Sequence, residues 1–212
     1  MRRIIVAAFT SLDGVMQAPG GPDEDRSGGF AYGGWVAPHF DETVGEAMGE
    51  LFSRPFELLL GRRTYDIFAA HWPRVPDDNP DADIAALFNG ITKHVATHRP
   101  DSLDWQNSQA LGEDVIASLR VLKQGDGPDL LTQGSSDLVQ QLLAADLVDE
   151  LRVLVFPVVL GRGKRLFGED AAPAGLMLRK SVTSPSGVVI AKYERAGEVR
   201  TGSFALEEPT KP

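Results

Sequence analysis

The chain has 212 residues, of which 42% are hydrophobic and 24% are charged. Length and composition are those of a globular protein with one core, and we expect a single domain. The 21 Lys and Arg residues against 30 Asp and Glu residues give a net charge of −9, which argues against nucleic acid or an anionic membrane as a partner. The absence of cysteine excludes disulfides, cysteine zinc sites and thiol nucleophiles, and it fits a cytoplasmic protein.

The apolar stretches are too short to be targeting or membrane segments. Residues 4–9 follow two arginines, as in a signal peptide, but this run of six residues is better explained as a first strand. Residues 151–160 contain Arg152 and Pro157 and have about half the length of a membrane-spanning helix. We therefore expect no membrane segment.

In chain order, short β-rich runs alternate with stretches of helical periodicity, which is typical of an α/β domain with a largely parallel sheet. The first half predicts strands at 3–10, 56–60 and 93–97 and helices at 41–52, 63–70 and 84–89. The second half predicts a helix at 112–123, a strand at 130–133, a helix at 136–145, a strand at 150–159 broken at Pro157, and a closing hairpin of 176–183 and 188–195. Residues 1–196 form the predicted domain.

Two segments lie outside this alternation. Residues 11–34 form a connection rich in Gly, Pro and Asp that is too long for an idle loop in a compact domain, so we expect it to cover a substrate site. Residues 197–212 form a polar extension with isolated apolar side chains at Val199, Phe204 and Leu206. This extension could be an extra strand, an arm that clasps a second subunit, or a disordered tail.

The most informative motif is Leu58-Leu59-Leu60-Gly61-Arg62-Arg63-Thr64-Tyr65. A buried strand runs through a glycine into two cations and a hydroxyl at a helix N-terminus, where free backbone N–H groups and the helix dipole favour an anion. Two adjacent arginines could hold a pyrophosphate and a ribose 2′-phosphate, which favours NADPH over NADH. The alternative is a strand-to-helix turn with solvated arginines.

The segment from Leu130 to Leu138 repeats this arrangement of strand, glycine, small hydroxyl residues and helix. Gly134 allows a ligand to approach the backbone, and Ser135 and Ser136 add donors at a second helix start. Two such anion sites suit one dinucleotide. The alternative is that the serines only cap a helix.

Other nucleotide and metal motifs fail. Gly161-Arg162-Gly163-Lys164-Arg165 lacks the upstream glycine and the hydroxyl residue of a phosphate-binding P-loop. His94 and His98 have the spacing of a zinc pair on a helix, but in the predicted strand they lie about 13 Å apart and cannot share one ion. We therefore expect no metal.

Four further residues are candidates for the substrate side of a site. Asp13 follows the first strand, at the end where open α/β sheets bind ligands, although an Asp before Gly also forms turns. Asp41 and Glu46 lie on the first predicted helix and could face the cleft, the alternative being a solvated helix face. Trp35 could form a cleft wall or anchor the core.

Several of these motifs, in this order, resemble those of the dihydrofolate-reductase-like superfamily. The segments that carry the resemblance are Ser11-Leu12-Asp13-Gly14, Leu60-Gly61-Arg62-Arg63-Thr64-Tyr65, Gln133-Gly134-Ser135-Ser136, Leu147-Val148-Asp149-Glu150-Leu151 and Pro157-Val158-Val159-Leu160-Gly161. The most similar branch is the reductase domain of the bifunctional riboflavin-biosynthesis deaminase/reductase and its stand-alone relatives. The resemblance extends from about residue 2 to 195.

The resemblance implies a three-layer α/β fold, with a mostly parallel sheet of about eight strands flanked by helices, and a homodimer. It also implies NADPH across the carboxyl ends of the strands, bound by Gly61, Arg62, Arg63, Thr64, Thr97, His98, Arg99, Gly134, Ser135 and Ser136. In dihydrofolate reductases a carboxylate on the first helix holds the pterin, and Glu46 is nearest to that position. This chain has no deaminase domain, so a riboflavin step does not follow from the resemblance.

The sequence therefore predicts an NADPH-dependent reductase of a small heterocyclic substrate, pterin-like or pyrimidine-like. Asp13 and Glu46 are the candidate proton donors, and Trp35 and Asp41 are candidate substrate-binding residues. The alternative is a protein of the same fold that binds a nucleotide or pterin without catalysis.

Overall fold

The apolar segment Ile4–Ser11 forms strand β1, the fifth strand across an eight-stranded sheet. The computed structural model describes residues 1–169 and 171–205. The other strands are β2 (Phe56–Gly61), β3 (Lys93–Ala96), β4 (Ser108–Ala110), β5 (Asp129–Thr132), β6 (Glu150–Phe156), β7 (Leu176–Thr183) and β8 (Val189–Arg195). Their order is β4-β3-β2-β5-β1-β6-β8-β7, and β8 alone among them runs against the rest. The predicted mostly parallel sheet is confirmed.

Five helices cover the two faces of this sheet. They are α1 (Glu42–Phe52), α2 (Arg62–His71), α3 (Ala82–Gly90), α4 (Val115–Gln124) and α5 (Ser136–Ala144). The side chains of β1 alternate between the faces: Ile5 packs with α1, α2 and α3, whereas Ile4 packs with α4 and α5. Burial on both faces explains why β1 is apolar throughout, and it gives the three-layer fold that the sequence predicts.

Helix boundaries follow the capping residues. Asp41 caps α1 by accepting a hydrogen bond from Val44 N at 3.0 Å, as predicted, and Asp114 caps α4 in the same way through Ala117 N. The short strand β4 was not predicted, since its three residues are polar or small and leave no apolar pattern. The predicted strand at 150–159 ends earlier, at Phe156, before Pro157.

The second edge of the sheet is open. Every residue of β7 is exposed, including Leu176, Met177 and Leu178, because no helix of the described chain covers β7 on either face. The apolar segment at 151–160 contributes β6, which lies inside the sheet between β1 and β8 and so is not available as an edge for a second subunit. The homodimer stays a prediction, and the exposed strand β7 is the surface at which we expect its interface.

The C-terminal extension is described as far as residue 205. The Gly175 amide donates to Gly197 O at 2.8 Å, which attaches the start of the extension to the β7–β8 hairpin. Residues 198–205 carry no helix or strand. Leu206 and the rest of the extension lie outside the described residues. No helix in the described part of the chain is long and apolar enough to cross a membrane.

Candidate functional site

A cleft of about 2100 Å³ opens at the carboxyl ends of the parallel strands. Ligand pockets usually measure about 300–1,000 Å³, so this cleft has room for a dinucleotide and a second ligand. The predicted loop contributes residues 16–25 to its lining, helix α1 contributes Met48 and Phe52, and the turns after β2, β3, β4 and β5 contribute the remaining edge. The whole predicted cofactor set lines it: Gly61, Arg62, Arg63, Thr64, Thr97, His98, Arg99, Gly134, Ser135 and Ser136.

The turns after β2 and β5 touch each other. Gly61 N donates to Gly134 O at 3.3 Å, and the hydroxyl of Thr132 donates to the same carbonyl at 3.0 Å. A Cβ atom on Gly134 would lie 2.8 Å from Oγ1 of Thr64, and Gly134 has a φ of 142°, so glycine is required there. We call residues 61–64 and 134–136 the glycine cradle. It brings the N-termini of α2 and α5 to one place.

The two arginines of the cradle differ in their contacts. Arg62 is committed to the protein: it donates to Asp66 at 2.9 Å, to the Ser102 hydroxyl at 2.8 Å and to Arg99 O at 3.2 Å. Arg63 has a side chain that is 52% exposed, and within the described residues it forms an ion pair only with Asp25, at 3.4 Å. Arg63 is therefore the arginine that is available to a ligand phosphate. Arg62 instead holds the segment that follows β3 in place.

The residues after β3 complete this end of the cleft. The Thr97 hydroxyl accepts a hydrogen bond from Arg99 N at 3.0 Å and lies 3.5 Å from the Arg62 guanidinium. Arg99 pairs with Asp66 at 3.6 Å, and its side chain is exposed. His98 also lines the cleft. The predicted third group of cofactor residues thus lies next to the first.

The loop over the cleft is tied down by Asp25. Its buried carboxylate pairs with Lys164 at 2.7 Å as well as with Arg63, and Gln17 binds Asp25 O at 3.0 Å. The Lys164 ion pair and the Ser27 amide lower the pKa of Asp25 despite its burial, so it stays ionised. Lys164, from the basic glycine turn, therefore positions the loop rather than offering a free cation.

Asp13 does not line the cleft. Its carboxylate accepts hydrogen bonds from the Ser11 hydroxyl at 2.6 Å, from Gly161 N at 2.9 Å and from Leu160 N at 3.1 Å. The Ser11 bond above all, helped by these two amides, lowers the pKa of Asp13 to about 2. The structure favours the turn-forming alternative, because an ionised carboxylate that is saturated by donors cannot supply a proton.

Three other predicted residues also lie away from the cleft. Asp41 is used in the fold, because besides capping α1 it accepts from Ser186 N at 2.9 Å, which lowers its pKa to about 2 against a desolvation effect. Glu46 is on the exposed side of α1. Trp35 is 7% exposed and packs edge-on against Phe156, with its indole N–H donating to Gln17 O at 2.8 Å.

Glu24 is the carboxyl group that the sequence analysis missed. It lines the cleft, is partly buried and accepts hydrogen bonds from Gly20 N at 2.6 Å and Gly21 N at 3.1 Å. It forms no ion pair with any described residue, unlike Asp25 beside it. Desolvation raises the pKa of Glu24, and the negative charge of Asp25 acts in the same direction. A loop has no periodicity that shows which side chains face inward, so no sequence signal distinguished Glu24 from its neighbours.

The part of the cleft between α1, α2 and α3 is apolar. Four ring side chains, which we call the aromatic wall, pack against one another there: Phe52, Phe68, Trp72 and Phe88. The ring centroids of Phe52, Trp72 and Phe68 lie 5.4, 5.0 and 6.0 Å from that of Phe88, respectively. Such mutual packing fixes the rings before any ligand arrives. No group of three or more potential metal ligands occurs among the described residues.

The fold and these motifs agree with what comparison with known proteins shows. Residues 2–190 match the family described as the RibD C-terminal domain. The chain belongs to this family. The chain is also similar to YyaP of Bacillus subtilis strain 168, an uncharacterized protein, with 25% identity over 196 residues, 92% of this chain and 96% of YyaP. YwjB of the same organism, also uncharacterized, is 27% identical over 84% of this chain and 90% of its own length.

Solved structures share the fold of this RibD C-terminal domain protein at lower identity. Dihydrofolate reductase from Enterococcus faecalis, solved with NADP(H), has a TM-score of 0.53 and 13% identity, over 91% of this chain and 96% of its own. A pyrimidine reductase-like protein from Corynebacterium diphtheriae has a TM-score of 0.55 and 15% identity, over 93% of both chains. A Thermotoga maritima diaminohydroxyphosphoribosylaminopyrimidine deaminase/5-amino-6-(5-phosphoribosylamino)uracil reductase has a TM-score of 0.59 and 13% identity, over 92% of this chain and 57% of its own.

Proposed function

We propose that this RibD C-terminal domain protein is an NADPH-dependent reductase of a small ring compound. The observation that carries the proposal is the contact between the turns after β2 and β5, which brings two helix N-termini and Arg63 to one edge of a cleft large enough for two ligands. Family membership and the fold shared with an NADP(H)-bound reductase support it. We also propose a cytoplasmic location, as expected of an enzyme that draws on NADPH.

The residues of the cradle fit the proposed cofactor. Gly134 packs against Thr64 with no room for a side chain, which holds the start of α5 beside the start of α2, where free backbone N–H groups would bind a phosphate. Arg63 and the hydroxyls of Thr64 and Ser135 would hold phosphate oxygens, and Arg99 would extend the cationic surface past β3. NADPH in this place would supply a hydride to a C=N or C=O carbon of the second ligand.

The chain itself must then supply the proton that balances the hydride. We propose Glu24 for this role in place of Asp13 and Glu46, because it is the partly buried, unpaired carboxyl among the described residues that line the cleft. Its raised pKa keeps part of it protonated at a higher pH than an ordinary glutamic acid. After transfer, Glu24 would recover its proton from solvent through the open side of the loop.

The alternative remains a binding protein without turnover, and one experiment separates the two. Titration followed by nicotinamide fluorescence should show tighter binding of NADPH than of NADH. Arg63→Ala should weaken NADPH binding by about 1.5 kcal/mol, roughly tenfold, because it removes a charge-assisted hydrogen bond. Arg74→Ala is the control, since Arg74 is an exposed arginine that does not line the cleft.

Substrate-dependent NADPH oxidation across a panel of ring carbonyl and imine compounds would then support the reductase. Tight NADPH binding without oxidation across that panel would support the binding protein. Equal NADPH affinity in the wild type and in Arg63→Ala would contradict the proposed cofactor site.

A further inference from the structure

The two halves of the cleft differ in charge as well as in shape. The half at the glycine cradle contains the exposed cations Arg63 and Arg99. The half between α1, α2 and α3, which we call the apolar half, is bounded by the aromatic wall together with Met48 and Ile84, and Phe40, which directly precedes the cap of α1, also lines the cleft. A ligand that fills both halves therefore places its charged part at the cradle and an uncharged part against the rings.

The apolar half lacks the cations that an anionic substrate would need. Among the described residues that line it, α1, the turn at Trp72 and α3 contribute no Lys or Arg. Lys164, the one lysine among the described residues of the cleft lining, is already paired with Asp25 at 2.7 Å. Glu24, His71 and Asp81 also line the cleft, and two of these three ionisable residues are acids.

A phosphate group in this half would lose its hydration and find no Lys or Arg among the described lining residues there, with His71 as the one basic side chain near it. Burying an unpaired charge in apolar surroundings is strongly unfavourable, and the Glu24 carboxyl group would add repulsion whenever it is ionised. A flat uncharged ring has the opposite balance, since it can pack against the partly exposed rings of the aromatic wall, which are Phe52, Phe68 and Trp72, and bury apolar surface. The same surroundings thus favour one ligand class and disfavour the other.

From this charge distribution we infer that the substrate is an uncharged, flat ring compound that carries a reducible C=O or C=N bond and no phosphate. This inference rests on the proposed reductase function and narrows its substrate class. It separates this chain from reductases whose substrates carry a phosphoribosyl group. Phe40 is the residue through which the inference can be tested without disturbing the core, because its side chain is 49% exposed and lines the cleft.

The test compares two ligands that have the same ring system and different charge. Calorimetric titration of the protein saturated with NADP⁺, which would fill the cradle, with 2-acetylnaphthalene, an uncharged ketone, and with 2-naphthyl phosphate should show that the ketone binds at least about tenfold more tightly. Phe40→Ala should weaken binding of the ketone by several-fold, through loss of buried apolar area. Phe167→Ala is the matched control, since Phe167 is 47% exposed and does not line the cleft, and it should leave binding unchanged.

A gain of function makes the test two-sided. Phe40→Arg introduces the missing cation and should raise the affinity for 2-naphthyl phosphate while lowering that for the ketone. The inference is overturned if the wild type binds the phosphate as tightly as the ketone, or if Phe40→Ala behaves like Phe167→Ala. NADPH titration is done separately: NADPH binding with a preference for the phosphate overturns the substrate class alone, whereas loss of NADPH binding overturns the reductase.

Discussion

Gly61 and Ser135 lie so close together that a Cβ atom on Gly61 would fall far inside the van der Waals radius of the Ser135 hydroxyl. The two residues belong to turns that are far apart in sequence, at the ends of the neighbouring strands β2 and β5. This contact makes the glycine cradle one site rather than two. It also makes Gly61 the position at which the cradle is most easily disrupted.

Gly61→Ala should therefore abolish measurable NADPH binding. The added methyl group would push the Ser135 turn away and separate the two helix N-termini, and the resulting strain should lower the free energy of unfolding by about 1–3 kcal/mol. Gly49→Ala is the control, because a Cβ atom at this position in α1 meets nothing within 4 Å. Fluorescence titration and chemical denaturation measure both effects. Normal NADPH binding by Gly61→Ala would show that the cradle does not hold the cofactor.

Glu24→Gln should slow single-turnover hydride transfer by at least about tenfold, or 1.4 kcal/mol of barrier, with little change in NADPH affinity. The amide side chain would keep an oxygen for the Gly20 and Gly21 backbone N–H groups but could not donate an acidic proton. Because the protonated form of Glu24 is the active one, the wild-type rate should fall as pH rises through its pKa, and Glu24→Gln should lose this dependence.

Asp13→Asn and Glu46→Gln serve as comparisons in the same measurement. Neither carboxyl group lines the cleft, so neither change should slow transfer by as much as Glu24→Gln. If Glu24→Gln transfers hydride at the wild-type rate, the proton comes from water or from the substrate.

Lys93→Met should destabilise the protein by about 2–4 kcal/mol, because it removes a donor from three backbone carbonyl groups. The Lys93 ammonium group donates to the carbonyl oxygens of Asn89, Ile91 and Gln106 at 2.9–3.0 Å and lies 4.2 Å from the centroid of the Trp105 ring. Burial lowers the pKa of Lys93 to about 8. Lys180→Met, at an exposed lysine paired with Glu50, is the control in urea denaturation. If both changes lower the free energy of unfolding equally, the hydrogen bonds of Lys93 do not stabilise the fold.

We expect the protein to form a homodimer through β7. An open sheet edge with exposed Leu176, Met177 and Leu178 is a surface that soluble proteins normally cover. Light scattering at micromolar concentration should give twice the 22.9 kDa mass of one chain. Leu178→Arg should shift the protein to monomer, whereas Val121→Arg, at an exposed apolar position on α4, should not. A monomeric wild-type protein at this concentration would contradict the homodimer.

The sequence predicted most of the fold because its elements carry strong local signals. Runs dominated by apolar residues predicted β1, β2 and β6, and an amphipathic stretch predicted α1. The signal was lacking in β4, a three-residue edge strand whose pairing with β3 depends on backbone contacts alone.

The candidate site was predicted unevenly for a related reason. Glycines at strand ends usually form turns and arginines there usually bind anions, so the cradle residues could be identified from the sequence. Acidic residues also form caps and turns, and Asp13 and Asp41 serve these purposes. Eight acidic residues of the described chain line the cleft, and only the folded structure shows that Glu24 is the one that is partly buried without a cation beside it.

The position of β1 has a consequence for biosynthesis. Arg3 N donates to a carboxylate oxygen of Asp129, and Ile4 N donates to one of Asp149, so the first strand is held by partners 126 and 145 residues further along the chain. Strand β1 is therefore synthesised long before β5 and β6, its two neighbours, and it stays apolar and unpaired until both have been made. Pairing over such sequence distances is slow. We therefore expect that β1 must be protected from aggregation in the nascent chain until β6 emerges.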